Sequence, residues 1–221
     1  VKRLIAFVPL FLTTIVLFAQ PEETVDARAN SILQSLTKKT KSFRNIKAEF
    51  TVTSYGADKK PTDVQKGTLT VSGGKYRLDI KNQLVICDSL NTYTFLKDAN
   101  EVQINSVDPN AEKGSITPSN IFTIYEKGFK THFDGEAKQG NATIETIDLY
   151  PKHPEKEKYH TLKLSIDKDK NQVIEIQVLL KDGTVTKYTI NTFSPNGTLP
   201  SSTFKFDKKD FPGAEIEDLR N

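Results

Sequence analysis

The side chains in this 221-residue chain that could do chemistry are three histidines, one cysteine and one acidic run. Zinc sites draw their ligands from closely spaced His and Cys pairs, and His132, His153 and His160 do not provide such a pair. His132 alternates with Phe133 as on a sheet face, and His153 falls in a charged stretch. The run Asp167-Lys168-Asp169-Lys170-Asn171 resembles the start of a calcium loop. Such a loop continues with Gly at its sixth position and Glu at its twelfth; here those places hold Gln172 and Val178. A charged hairpin turn is the better reading. Cys87 ends the apolar run Leu84-Val85-Ile86-Cys87 and reads as a buried thiol. A nucleophilic cysteine needs a positioned base, and none is apparent. Nucleophile-elbow, phosphate-loop and HExxH patterns are missing from the sequence. These residues therefore predict no metal, no cofactor and no enzymatic activity.

If catalysis is not the purpose, the elements that would have placed such residues become the subject. Lys2 and Arg3 precede a charge-free, mostly apolar stretch, Leu4 to Ala19. A membrane-spanning helix needs about 20 apolar residues, and this stretch is shorter and interrupted by Pro9, Thr13 and Thr14. Residues 1–19 are expected to be an export signal cleaved near Ala19. No lipobox cysteine follows. Residues 20–221 are then expected to form a single domain in the periplasm, long enough to bury a proper core. Lys and Arg total 31 against 28 Asp and Glu. Two of the basic residues belong to the signal, so the remainder is nearly neutral. A nucleic-acid binder would carry a strong basic excess, so that class is excluded.

Residues 21–42 predict one long helix, with Val25, Ala29, Ile32, Leu33 and Leu36 on one face. Pro21 suits its first turn. Glu22, Glu23 and Asp26 at one end, and Lys38, Lys39 and Lys41 at the other, complement the helix dipole. After Phe43 the period changes to two. Ile46, Ala48, Phe50 and Val52 alternate with polar residues, and the pattern repeats through Leu69-Val71, Tyr76-Leu78-Ile80, Tyr93-Phe95, Val102-Ile104, Phe129-Thr131-Phe133, Leu162-Leu164-Ile166 and Ile174-Ile176-Val178, with Phe204-Phe206 last. Alternation of this kind makes a sheet with one buried and one wet face. Turn residues at Gly73-Gly74, Asp98-Ala99-Asn100, Asp167–Asn171, Asp182-Gly183 and Asn196-Gly197 divide the runs. About ten or eleven antiparallel strands follow, curved or closed. Residues 107–127 break the rhythm: Thr117-Pro118 is a helix-start signal, so a short apolar helix is expected there. Residues 152–158 read as an exposed loop.

The order of these features resembles the outer-membrane lipoprotein carriers, the LolA-like family, over nearly the whole chain after the signal. The resemblance lies in Ser42 to Phe50 as the family's opening strand and Lys66 to Val71 as its glycine-led second strand. It continues in Lys75-Tyr76-Arg77-Leu78-Asp79-Ile80, in Cys87 to Phe95, in Thr117-Pro118 opening the insert, in Leu179 to Thr186, and in Phe204-Lys205-Phe206-Asp207 near the end. It implies a mainly β fold with some α structure: a curved antiparallel half-barrel covered by an N-terminal helix and a short inserted helix. It also implies a periplasmic shuttle that takes lipid-modified proteins from an inner-membrane ATP-driven release complex toward an outer-membrane acceptor. The family's Arg-Pro before its third strand, where the Arg helps latch the lid, is replaced by Gly73-Gly74, and Leu78 and Ser89 stand for the usual Trp and Gly.

A soluble monomer rarely exposes a large apolar patch. An inward apolar face closed by a lid, which acyl chains can replace, satisfies that constraint. The residues expected to line such a cavity are Phe50, Val52, Leu69, Val71, Tyr76, Leu78, Tyr93 and Phe95, with Ile121 and Phe122 on the lid. A second reading of the same fold is an envelope sensor of lipid or mislocalised lipoprotein; a secreted enzyme acting on lipid or glycan ranks last.

Overall fold

The computed structural model describes residues 26–108 and 116–220. The expected export signal, and the first residues of the expected 21–42 helix, lie outside these. The helix that is described, α1, runs Ala27–Lys41. Asp26 is its N-cap rather than a member of its first turn, and its side chain accepts a hydrogen bond from the Ala29 N–H at 2.9 Å. An aspartate carboxylate satisfies an otherwise orphaned backbone donor best from that position. Lys38, Lys39 and Lys41 occupy the last turn, where they meet the negative end of the helix dipole. Ala29, Leu33 and Leu36 form the buried stripe.

The described residues form twelve strands, all in one sheet, one more than the upper count expected from sequence. The first meander is β1 (Ile46–Tyr55), β2 (Pro61–Ser72), β3 (Lys75–Ile80), β4 (Gln83–Cys87), β5 (Asn91–Leu96) and β6 (Glu101–Ser106). The second is β7 (Phe129–Gln139), β8 (Ala142–Pro151), β9 (Tyr159–Asp167), β10 (Gln172–Leu180) and β11 (Val185–Pro195). Antiparallel pairing of β1 with β11 joins the two, so the first and eleventh strands lie side by side in the middle. The sheet does not close: β7 is one edge, and β12 (Glu215–Asp218) is the other, parallel to β6. The result is a curved half-barrel. Gly73, at φ +58°, makes the tight β2–β3 turn between Ser72 and Lys75.

Two elements differ from expectation. The insert contains no α-helix among the described residues; it is a series of turns ending in one 3₁₀ turn, Ile124–Glu126. Its polar side chains take up the backbone groups a helix would use. Asn120 Oδ1 accepts from the Thr117 N–H at 2.9 Å, Thr117 and Ser119 hydroxyls share a bond of 2.7 Å, and the Thr123 hydroxyl donates to the Asn120 carbonyl. Such local bonds compete directly with helix formation. Phe204-Phe206 is not a strand either. The Pro200 carbonyl accepts from both the N–H and the hydroxyl of Thr203, which holds the segment in turns.

The sheet buries apolar residues on both faces. The concave face, with α1 and the insert laid on it, includes Ile46, Ala48, Leu69, Ile147, Leu149, Leu162, Leu164 and Ile176. On the convex face Leu84, Ile86, Val102 and Ile104 are covered by Phe211, Phe206, Ala214 and Ile216 of the C-terminal segment.

Candidate apolar binding cavity

Strand register collects the cavity. Phe50 and Val52 of β1 stand opposite Gly67 and Gln65 of β2 on one side, and opposite Ile190 and Tyr188 of β11 on the other. Across the next ladder Leu69 pairs with Leu78, and Gly67 with Ile80. All of these face inward. Ile116, Thr117, Pro118, Ile121 and Phe122 of the insert form the roof over a partly open cavity of about 280 Å³. That is close to the lower end of the ~300–1,000 Å³ range of small-molecule pockets. At the hairpin end the wall turns polar, with Ser54, Asp63 and Gln65. Gln65 donates to the Asp63 carboxylate at 2.7 Å.

Gly67 is required by packing. A Cβ built there would lie 2.7 Å from both Phe50 Cζ and Ile80 Cγ2, and 2.8 Å from the Asp79 carbonyl. The Phe50 ring therefore lies across bare backbone and lines the cavity wall without filling the space. Burial of Tyr188 raises its phenol above the usual value.

The roof is tied to the helix. Lys41 Nζ meets Glu126 Oε2 at 2.6 Å, while Glu126 Oε1 is buried without a hydrogen-bond partner. The Tyr125 hydroxyl lies 3.4 Å from the Thr40 hydroxyl, and burial pushes its pKa up to about 12. Phe122 meets Phe193 edge-on, with ring centroids 5.7 Å apart. α1 is in turn held to edge strand β7. Asp26 accepts the Phe133 N–H at 2.6 Å, Arg28 pairs with Glu136 at 2.6 Å, and the Arg28 guanidinium lies over the Phe133 ring.

Of the ten residues expected to line a cavity, Phe50, Val52, Leu69, Leu78, Ile121 and Phe122 are brought together here. Val71 and Tyr76 are on the same face, one cross-strand pair nearer the Gly73 turn, and pack in the solid part of the core. Tyr93 and Phe95 are a correction: they lie on the convex face. Tyr93 pairs with Ile86 and Phe95 with Leu84; Tyr93 stacks on Phe206 with ring centroids 4.7 Å apart, and Phe95 meets Phe211 at a tilt, 5.0 Å apart. The unbroken run Leu84 to Cys87 carried the signal, since a strand apolar at every position is buried on both faces. Ile80, Ile116, Tyr188 and Ile190 were not foreseen. Ile80 continues the alternation of Tyr76 and Leu78. In β11 the alternation is broken by an extra residue, Asn191, which lets Ile190 and Phe193 both face inward opposite Phe50 and Ala48.

The residues considered for catalysis stay apart. His132 Nδ1 is 3.7 Å from Asp26, His153 Nδ1 is 3.6 Å from Glu155, and His160 Nδ1 contacts the Thr161 hydroxyl at 2.8 Å. Cys87 is buried, its thiol 3.7 Å from the Gly74 carbonyl. Asp167 accepts the Lys170 N–H within its own turn. Among the described residues no group of three or more His, Cys, Asp or Glu is placed to hold a metal ion, and no helix is long and apolar enough to cross a membrane.

Similarity to known proteins agrees with this geometry. Residues 41–207 match the family described as outer membrane lipoprotein carrier protein LolA. No curated protein sequence matches significantly. An uncharacterised conserved protein from Thermus thermophilus superposes with a TM-score of 0.58 at 11% identity, covering 88% of this chain and 99% of that one. The lipoprotein LppX from Mycobacterium tuberculosis gives 0.49 at 10% identity, over 79% and 98% of the two chains. A LolA superfamily protein from Nitrosomonas europaea gives 0.43 at 11% identity, over 81% and 98%. With the family matched over most of its length and the half-barrel in place, this chain belongs to the LolA family.

Proposed function

We propose that the protein is a periplasmic carrier that shields the acyl chains of lipid-modified proteins in the cavity beneath the insert. In this reading it takes cargo from an ATP-driven release complex of the inner membrane and passes it toward the outer membrane. The supporting observation is the cavity itself, apolar on its strand wall and covered by an insert whose described residues form local turns. Residues 1–19 act as the export signal, and residues 20–221 act as one monomeric carrier domain.

Each buried CH₂ stabilises the complex by about 0.8 kcal/mol. A long chain bound to a rigid, empty cavity would be released too slowly for a shuttle. Here the cavity is small while the roof is down, so a full chain enters only as Ile121 and Phe122 give up their own packing. That loss offsets part of the gain and keeps handover feasible. The roof tie between Lys41 and Glu126 is partly exposed, so it costs little to open.

The test is displacement of a neutral, apolar fluorophore from the purified protein, together with mass spectrometry of lipids and lipoproteins that co-purify with it. Saturable probe binding that acylated peptide displaces, and that Val52→Glu abolishes, is expected. Probe binding that neither lipid nor Val52→Glu changes would sink the carrier reading.

A further inference from the structure

The cavity does not end at its roof. A second hollow of about 370 Å³ adjoins it and shares two of its walls, Ile116 and Tyr188. Its floor continues the concave face: Thr186 pairs with Val178, and Leu180 with Tyr159. Its outer wall is different, formed by Lys156, Glu157 and Lys158 of the β8–β9 loop. That loop is anchored to the β10–β11 turn. The Lys181 N–H donates to the Lys158 carbonyl at 3.1 Å, and Lys181 Nζ donates to the Pro154 carbonyl at 2.5 Å.

Three cations, Lys156, Lys158 and Lys181, and three carboxylates, Glu155, Glu157 and Asp182, lie on this loop and turn, but they do not all pair with one another. Glu157 is half-buried, burial raises its carboxyl pKa, and Lys181 is the cation that opposes this. Glu155 faces His153. Asp182 is occupied by the Thr184 N–H and hydroxyl of its own turn. Lys156 and Lys158 are exposed and have no ion-pair partner among the described residues. An apolar chamber thus opens into a vestibule whose rim carries two ammonium groups that have no ion-pair partner among the described residues.

We propose that this vestibule is a headgroup site, and that the preferred ligand is an acyl amphiphile with an anionic group directly beyond its chain. The chain lies behind Ile116 and Tyr188, and the anion meets Lys156 and Lys158. The assignment rests on the acyl-cavity reading and adds a ligand class to it. A carboxylate or a phosphate satisfies the same chemistry.

Competition against the neutral fluorophore separates these possibilities. The competitors are dodecanoate, dodecyl phosphate, zwitterionic dodecylphosphocholine and neutral dodecanoyl glycerol, each below its micellar concentration. An exposed ammonium contributes at most about fivefold, so the two anions should compete roughly tenfold better than the neutral amphiphile at low salt. The stronger of the two anions identifies the natural head. At 1 M salt, where the Debye length is about 3 Å, the preference should disappear. Lys156→Gln with Lys158→Gln should abolish it while leaving dodecanoyl glycerol unchanged, and Lys47→Gln on the convex face should leave it intact. Equal competition at low salt, or a preference that persists in the double variant, overturns the headgroup site alone. If no amphiphile displaces the probe, the acyl cavity itself is refuted, and the headgroup site with it.

Discussion

The two faces of one sheet are closed in different ways. On the convex face Tyr93, Phe206 and Phe211 stack in series and Phe95 leans on Phe211, and the segment that carries Phe211 ends in β12, hydrogen-bonded along β6. Phe206 and Phe211 themselves sit in irregular turns, but the segment is locked at its end into the ladder of the sheet through β12. On the concave face the described part of the cover over β1–β3 is a chain of turns, held to α1 by the Lys41–Glu126 ion pair and by Tyr125, and an apolar cavity lies beneath it. Burial alone therefore does not distinguish a binding face from a structural one. What distinguishes them is whether the cover is itself part of the hydrogen-bonded sheet. A strap in the ladder can leave only with its strand, whereas a roof of local turns can lift while the sheet stays intact.

Three substitutions probe that contrast. Phe211→Ala should produce the largest effect, a loss of about 3 kcal/mol in denaturant unfolding, with probe affinity unchanged. If probe affinity falls as much as stability does, the two faces are coupled and the contrast is lost. Gly67→Ala should cost about 2 kcal/mol through overpacking, because the new Cβ meets Phe50, Ile80 and the Asp79 carbonyl. It should also weaken the probe as Phe50 is pushed into the cavity. Unfolding and fluorescence titration on the same sample check both effects. The smallest effect concerns the helix that supports the roof. Backbone bonds from Ala29 and Phe133 hold the Asp26 carboxyl below its ordinary value of 3.8. A lowered folded pKa makes this contribution fully present above the unfolded value near 3.9 and lost as pH falls through the folded value. Asp26→Ala should cost about 1 kcal/mol at pH 7 and less below pH 4. A cost that does not shrink on acidification would remove Asp26 from the tie between α1 and β7.

The central strands were legible because each carries one apolar and one polar face. Phe50-Val52 and Leu69 with Leu78 could be assigned to a common surface from alternation alone. The roof was legible as an interruption, although its structure was not. The helix-start signal at Thr117-Pro118 was real, but Asn120 and Thr123 spend their side chains on local backbone groups. Tyr93 and Phe95 were read onto the wrong face because alternation has no sign: it says that neighbours point opposite ways and not which way is inward. Ile190 was hidden by the bulge at Asn191, and a bulge becomes visible only when the partner strand is in view.

Periodicity and turn chemistry are local properties, so the sequence by itself determined that this protein is an antiparallel sheet with an amphipathic helix and an apolar insert. Pairing β1 with β11 is not local. It brings together residues about 140 positions apart, as in Phe50 with Ile190, and loop-closure entropy gives no hint of which distant strands will meet. Only the tertiary structure decided which apolar face would be filled by the C-terminal strap, which would keep a cavity, and that Lys156 and Lys158 would line the hollow beside it.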